Sequence, residues 1–221
     1  MKLLLDAVLV VGGACLLSST AAASAAESPL LLIPGFAASV FEVQYNTTMT
    51  PPHVWCSKSS HGHWERVWGP SAVELVPKIK DCWWYKIKVY YETNTTDQQA
   101  VTAAAHNAPG VQWRVKEGVE GLQVEGTQSN VYRQLFRAFP NTAVLTYDFR
   151  LSPTGNPTIL QQIQTMIEAT YWNSHATPVT LISHSMGALL VHTFLTQTAT
   201  TPWKAQYLHA WIPLAPRPME V

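Results

Sequence analysis

The chain has 221 residues, 14 Lys+Arg against 14 Asp+Glu, and a charged fraction of only 13%, about half that of an ordinary soluble domain. That balance leaves no basic excess for phosphate neutralisation and excludes a nucleic-acid binder, while 47% hydrophobic residues, among them nine Trp, eight Tyr and six Phe, exclude a disordered chain. No run of about 18 strictly apolar residues occurs, which excludes a multi-span membrane protein.

Lys2 supplies a positive n-region, residues 7–17 an apolar h-region, and Ala21-Ala22-Ala23 or Ser24-Ala25-Ala26 a small-residue cleavage site. This predicts a secretory signal peptide over 1–23, with an uncleaved anchor as the alternative, and leaves 24–221 as one domain. Cys15 falls within the signal. Cys56 and Cys82 then remain as an even pair in a compartment that permits disulfides, which predicts a bridge; the alternative is two buried thiols. The sequons Asn46-Thr47-Thr48 and Asn94-Thr95-Thr96 flank that pair in polar stretches suited to glycans.

In chain order, the apolar run 30–33 ended by Pro34-Gly35 reads as a buried strand breaking into a loop. Residues 44–82, rich in Trp and His, read as an irregular excursion from the core. Alternation predicts strands over 86–91 and 111–115, with Asn107-Ala108-Pro109-Gly110 as turn chemistry between them. Val131, Leu135, Phe136 and Phe139 recur at helical spacing until Pro140-Asn141, and 142–147 reads as a strand. A helix over about 158–173, a strand over 179–182, a helix over 186–197 and a strand over 208–214 follow. This alternation predicts an α/β protein with a parallel sheet and helices on both faces.

Between the 179–182 strand and the 186–197 helix the chain reads Ser183-His184-Ser185-Met186-Gly187, the nucleophile-elbow pattern G-x-S-x-G with Ser183 replacing the first glycine. Small residues are needed two before and two after the nucleophile because the turn is too tight for larger ones. Ser185 is therefore the candidate nucleophile, at a helix N-terminus whose dipole favours developing negative charge; the alternative is a plain N-cap serine. An oxyanion hole requires two backbone N–H donors, and Met186 and Phe36, after Pro34-Gly35, are the candidates. His184 and His192 read as structural rather than as a base, because adjacent residues do not face each other and residue 192 lies down a buried helix.

With these motifs the chain resembles the lecithin:cholesterol acyltransferase family. The pieces in register are Ile33-Pro34-Gly35-Phe36, Trp55-Cys56, Asp81-Cys82-Trp83, Asn107-Ala108-Pro109-Gly110-Val111, Tyr147-Asp148-Phe149-Arg150 and His184-Ser185-Met186-Gly187. The resemblance implies an α/β-hydrolase fold in which the Cys56–Cys82 segment, about 53–85, is a disulfide-pinned lid with Trp68 near the acyl chain. It also implies that Asp148 and Arg150 form a structural ion pair near the site. Amphipathic Trp rings suit such a lipid boundary, whereas Trp83, Trp84 and Trp113 are expected in the core. The implied activity is that of a serine O-acyltransferase and phospholipase without metal or cofactor, taking a phospholipid as acyl donor and a sterol or other lipid hydroxyl as acceptor. The expected protein is a monomer peripheral to a membrane or lipoprotein surface, in the extracellular space or a lysosome-like organelle. A carboxylester lipase is the alternative reading.

A triad on this fold runs Ser, then Asp or Glu, then His. After Ser185 the chain holds no Asp, Glu220 is its only acid, and His192 and His209 lie in predicted core elements. The resemblance implies an acid and base beyond residue 221, and hence an incomplete sheet. Where family members follow Ala-Pro closely with Gly-Gly or Gly-Ser, this chain reads Ala215-Pro216-Arg217-Pro218-Met219-Glu220-Val221. That tail predicts a frameshift or misassigned gene end near codon 216, and a non-enzymatic lipid-binding remnant as the further alternative.

Overall fold

A computed structural model of the chain describes residues 27–68, 76–91, 105–122, 129–151 and 157–215. The expected signal peptide, Asn94, the middle of the expected lid (69–75) and the tail 216–221 lie outside the described residues. The elements of the first half are β1 (Leu30–Ile33), β2 (Phe41–Tyr45), β3 (Glu65–Arg66), α1 (Ile79–Ile87), β4 (Val89–Tyr91), β5 (Ala105–Asn107) and β6 (Val111–Val115). The second half supplies α2 (Ser129–Ala138), β7 (Ala143–Val144), α3 (Pro157–Asn173), β8 (Val179–His184), α4 (Met186–Gln197), α5 (Thr201–Tyr207) and β9 (Leu208–Leu214).

The apolar tetrad of β1 lies inside a parallel sheet of order β7-β1-β8-β9, with Leu31 opposite Leu181 and Leu32 opposite both Ile182 and Val144. Successive strand residues face opposite sides, so a strand covered on both must be apolar throughout. Leu31, Ile33, Val179 and Leu181 share one core with Ile159, Ile163 and Ile167 of α3 and Leu190, Val191 and Phe194 of α4. Leu32, Val144 and Ile182 belong to a second core with Tyr132, Leu135 and Phe136 of α2. The three α3 isoleucines, four residues apart, are each at most 1% exposed, and each such burial contributes about 1.5–3 kcal/mol.

The excursion between β1 and α2 is more ordered than its composition suggests. β2 pairs antiparallel with β3 and β6, and the Cys56–Cys82 disulfide forms across a Cα–Cα distance of 5.3 Å. Its sequence separation of 26 corresponds to about 3.5 kcal/mol of loop-closure entropy removed from the unfolded chain. The expected strand over 86–91 is corrected: α1 continues through Ile87, because Trp83 and Ile87, one turn apart, are both buried on one face. Trp84, expected in the core, is 54% exposed because it lies off that face. The expected strand over 142–147 pairs only at Ala143 and Val144. Beyond them Thr146 donates its hydroxyl to Lys116 O (2.7 Å), and Tyr147 N–H donates to Ser39 Oγ (3.1 Å), turning the chain out of the sheet. α5 was not anticipated; the Thr200 side chain caps it by accepting from Trp203 N–H. His209, expected inside the core, is exposed on β9, whose only sheet neighbour among the described residues is β8.

Candidate active site

Ser185 stands between β8 and α4 with φ 51° and ψ −119°, a conformation rare for a residue with a side chain. Its N–H donates to Leu214 O (3.0 Å) at the end of β9, and its own carbonyl accepts from Ala188 N–H (3.0 Å) to open the helix. The turn is as crowded as the motif demands. A Cβ on Gly187 would lie 2.5 Å from both Ile33 O and Pro34 O, and one on Gly35 would lie 2.8 Å from His184 Nδ1 and 3.2 Å from Ser185 Cβ. The glycines after β1 and after the serine thus let the two strand ends touch.

Ser183 fills the first glycine's place without exposure to solvent. Its Oγ accepts a hydrogen bond from Trp211 Nε1 on β9 (2.8 Å), so the substituted hydroxyl is satisfied where solvent cannot reach it. That partner lies 28 positions away and no local pattern announces it.

Among the described residues neither the Phe36 nor the Met186 backbone N–H has a protein acceptor, and the Ser185 hydroxyl makes no hydrogen bond. Met186 begins α4, so its N–H is one of the unpaired donors of the helix N-terminus. Phe36 follows Gly35 at the Ser185 turn and is 52% exposed, its ring edge-on to Phe149 at 4.9 Å. Phe149 also meets Trp68 at 5.0 Å, and Trp68 Nε1 donates to Ala37 O (2.8 Å). Trp68 is thereby tied to the loop that carries Phe36.

Asp148 and Arg150 form a paired set of contacts, Nη2 to Oδ2 at 2.6 Å and Nε to Oδ1 at 2.9 Å. The guanidinium also donates to Ile87 O and Asn107 Oδ1 and stacks on Trp113 at 3.5 Å, so it fastens α1, β5 and β6 to the loop after β7. His184 Nδ1 lies 2.9 Å from the Tyr132 hydroxyl, and burial lowers its pKa below the usual histidine value. His192 is half-buried in α4 with its ring 6.4 Å from that of Trp211. Asn46 lies outside this cluster; its N–H donates to Gly110 O and its side chain is exposed. A hollow of about 830 Å³ lies between the chain after β7 and α3 and includes none of Ser185, Phe36 and Met186. No metal-binding cluster and no helix long and apolar enough to cross a membrane occurs among the described residues.

A parallel sheet covered by helices, with a serine on a tight strand-to-helix turn beside free amide donors, is consistent with an α/β-hydrolase-like fold. The chain belongs to the lecithin:cholesterol acyltransferase family, whose model matches residues 63–217. It is 31% identical to lecithin-cholesterol acyltransferase-like 1 of Arabidopsis thaliana, over 85% of this chain and 48% of that protein. It is 30% identical to the phosphatidylcholine-sterol acyltransferase of Gallus gallus (84% of this chain, 45% of the relative). With the lysosomal phospholipase A and acyltransferase of Homo sapiens the identity is 26% (84% and 46%). The chain therefore spans just under half the length of each of these relatives.

Proposed function

We propose that the chain carries the nucleophile and oxyanion hole of a lipid acyltransferase and phospholipase. Ser185 Oγ attacks the ester carbonyl of a phospholipid, and the tetrahedral oxyanion is held by the Phe36 and Met186 N–H groups. Collapse expels the lysophospholipid alkoxide, which takes up a proton, and leaves acyl-Ser185. The acyl group then passes to a sterol, another lipid hydroxyl or water. The base that accepts the Ser185 proton, and the acid that orients it, are read as belonging to sequence equivalent to the part of each relative that this chain does not match. Residues 24–221 are read as the N-terminal part of an α/β-hydrolase domain and 53–85 as its lid, with Trp68 on the acyl side. Residues 1–23 are read as a removed signal and Asn46 and Asn94 as glycosylated. The protein acts as a monomer at a membrane or lipoprotein surface, outside the cell or in a lysosome-like organelle.

The observation that carries this reading is the positive φ of Ser185 at a turn where Gly35 and Gly187 have no room for a side chain. An activated fluorophosphonate tests it on the 221-residue chain. Serine enzymes stripped of triad members keep about 10³-fold acceleration over water from their oxyanion hole and binding. Labelling of Ser185, located by peptide mass spectrometry, is expected above the Ser185→Ala background through the oxyanion hole alone, and well below the rate of an enzyme whose triad base is present. A rate equal to the Ser185→Ala background refutes the proposal.

A further inference from the structure

The peptide group joining Pro34 to Gly35 is held at both ends by buried phenols. Tyr147 Oη–H donates to its carbonyl at 2.9 Å, and its N–H donates to Tyr132 Oη at 3.0 Å. Tyr132 and Tyr147 are 0% and 2% exposed, and burial raises the pKa of both, so each stays a protonated donor at physiological pH. Tyr132 has one proton to give. Its oxygen accepts from Gly35, and His184 Nδ1, at 2.9 Å, is the acceptor within reach of that proton; in that arrangement the imidazole proton sits on Nε2. The chain Gly35 N–H, Tyr132 O–H, His184 therefore links the loop after β1 to the residue preceding Ser185.

The next peptide along, Gly35 to Phe36, carries the candidate oxyanion donor. Peptide planes are rigid and glycine is the most permissive joint between them, so the aim of the Phe36 N–H depends on how firmly the preceding plane is held. We propose that Tyr132 and Tyr147 are positioning residues of the oxyanion hole, fixing the Pro34–Gly35 plane from opposite ends and thereby the direction of the Phe36 N–H. The inference rests on the assignment of Ser185 and Phe36 made under Proposed function. It adds two buried residues, and neither is marked by the elbow motif.

The test measures fluorophosphonate labelling of Ser185 in the 221-residue chain and in its Tyr132→Phe and Tyr147→Phe variants, with Ser185→Ala as background. Removing an oxyanion donor outright costs about 10²–10³ in rate, so misaiming one is expected to slow labelling by about tenfold in either variant. Two-dimensional NMR supplies a readout that general loosening would not move. The Gly35 and Phe36 amide resonances are expected to shift in both variants, and the His184 Nδ1 resonance in Tyr132→Phe alone, as its tautomer loses its partner. Wild-type labelling at Ser185 with both variants within about twofold of it overturns the clamp and leaves the nucleophile standing. No wild-type labelling above Ser185→Ala overturns the nucleophile assignment and this inference with it. Should Tyr132→Phe fail to fold, Tyr147→Phe decides alone, because it removes the hydroxyl at the other end of the same peptide.

Discussion

Gly187→Ala separates two opposing effects within one substitution. Gly187 lies in the first turn of α4, where helix propensity alone favours alanine by about 1 kcal/mol. The new methyl, however, would sit 2.5 Å from Ile33 O and from Pro34 O, both backbone atoms at the end of a strand with neighbours on each side. Neither oxygen can swing away as a flexible side chain would. Overpacking against such a wall costs about 3 kcal/mol, the upper end of its usual range. Setting the propensity gain against it leaves a net loss of about 2 kcal/mol, or a fall in Tm of about 4–8 °C for a domain of this size. Differential scanning calorimetry of the disulfide-intact protein reads this directly. An unchanged or higher Tm would mean that propensity dominates, and would refute the close contact between β1 and α4 on which the site geometry depends.

Trp211→Phe removes the indole N–H that Ser183 Oγ accepts and should cost about 1–3 kcal/mol in urea denaturation, whereas Ser183→Gly made alongside it should recover part of the loss, since no orphaned hydroxyl remains. The pKa of His184 is depressed by burial, so below the ordinary histidine range the unfolded chain binds the proton more readily than the folded one. The stability from keeping this imidazole neutral is thus present above pH of about 6.5 and lost as pH falls through the lowered value. His184→Gln should flatten the loss measured by denaturant midpoint between about pH 7 and 5, and an identical slope in the variant would refute the linkage.

Most of the elements from α2 onward were legible because their signals are local. The periodicity of 158–173 returns as α3 within a residue, and the elbow pattern marks the junction at which Ser185 takes its unusual φ. The α5 start was legible too and was missed: Thr200 followed by Pro202 is a capping signature. The excursion was less readable because its determinants are distant. Nothing in the alternation of 86–91 reveals that burial of Trp83 and Ile87 would hold 86 and 87 in a helix, and beyond α2 the same holds for Thr146, which leaves the sheet for Lys116, 30 positions away. Tyr132 illustrates the same limit at the site. With Leu135 and Phe136 three and four positions on, it reads as one more apolar face residue, and only partners 97 and 52 positions away, Gly35 and His184, give its hydroxyl a role.

The connectivity of the parallel sheet sets an order of events during synthesis. β1 is made first, yet its sheet partners are Ala143–Val144 and residues 180–183, the latter 150 positions later. At about 5–20 residues per second the ribosome needs on the order of 8–30 s to deliver β8. The antiparallel pairing of β2 with β3 and β6 needs only residues 41–115, and so can close well before then. Leu30, Leu31, Leu32 and Ile33 thus wait as an unpaired apolar tetrad beside a module already assembling. In a nascent polypeptide such a segment is one that a holding chaperone would need to shield until β7 and then β8 emerge.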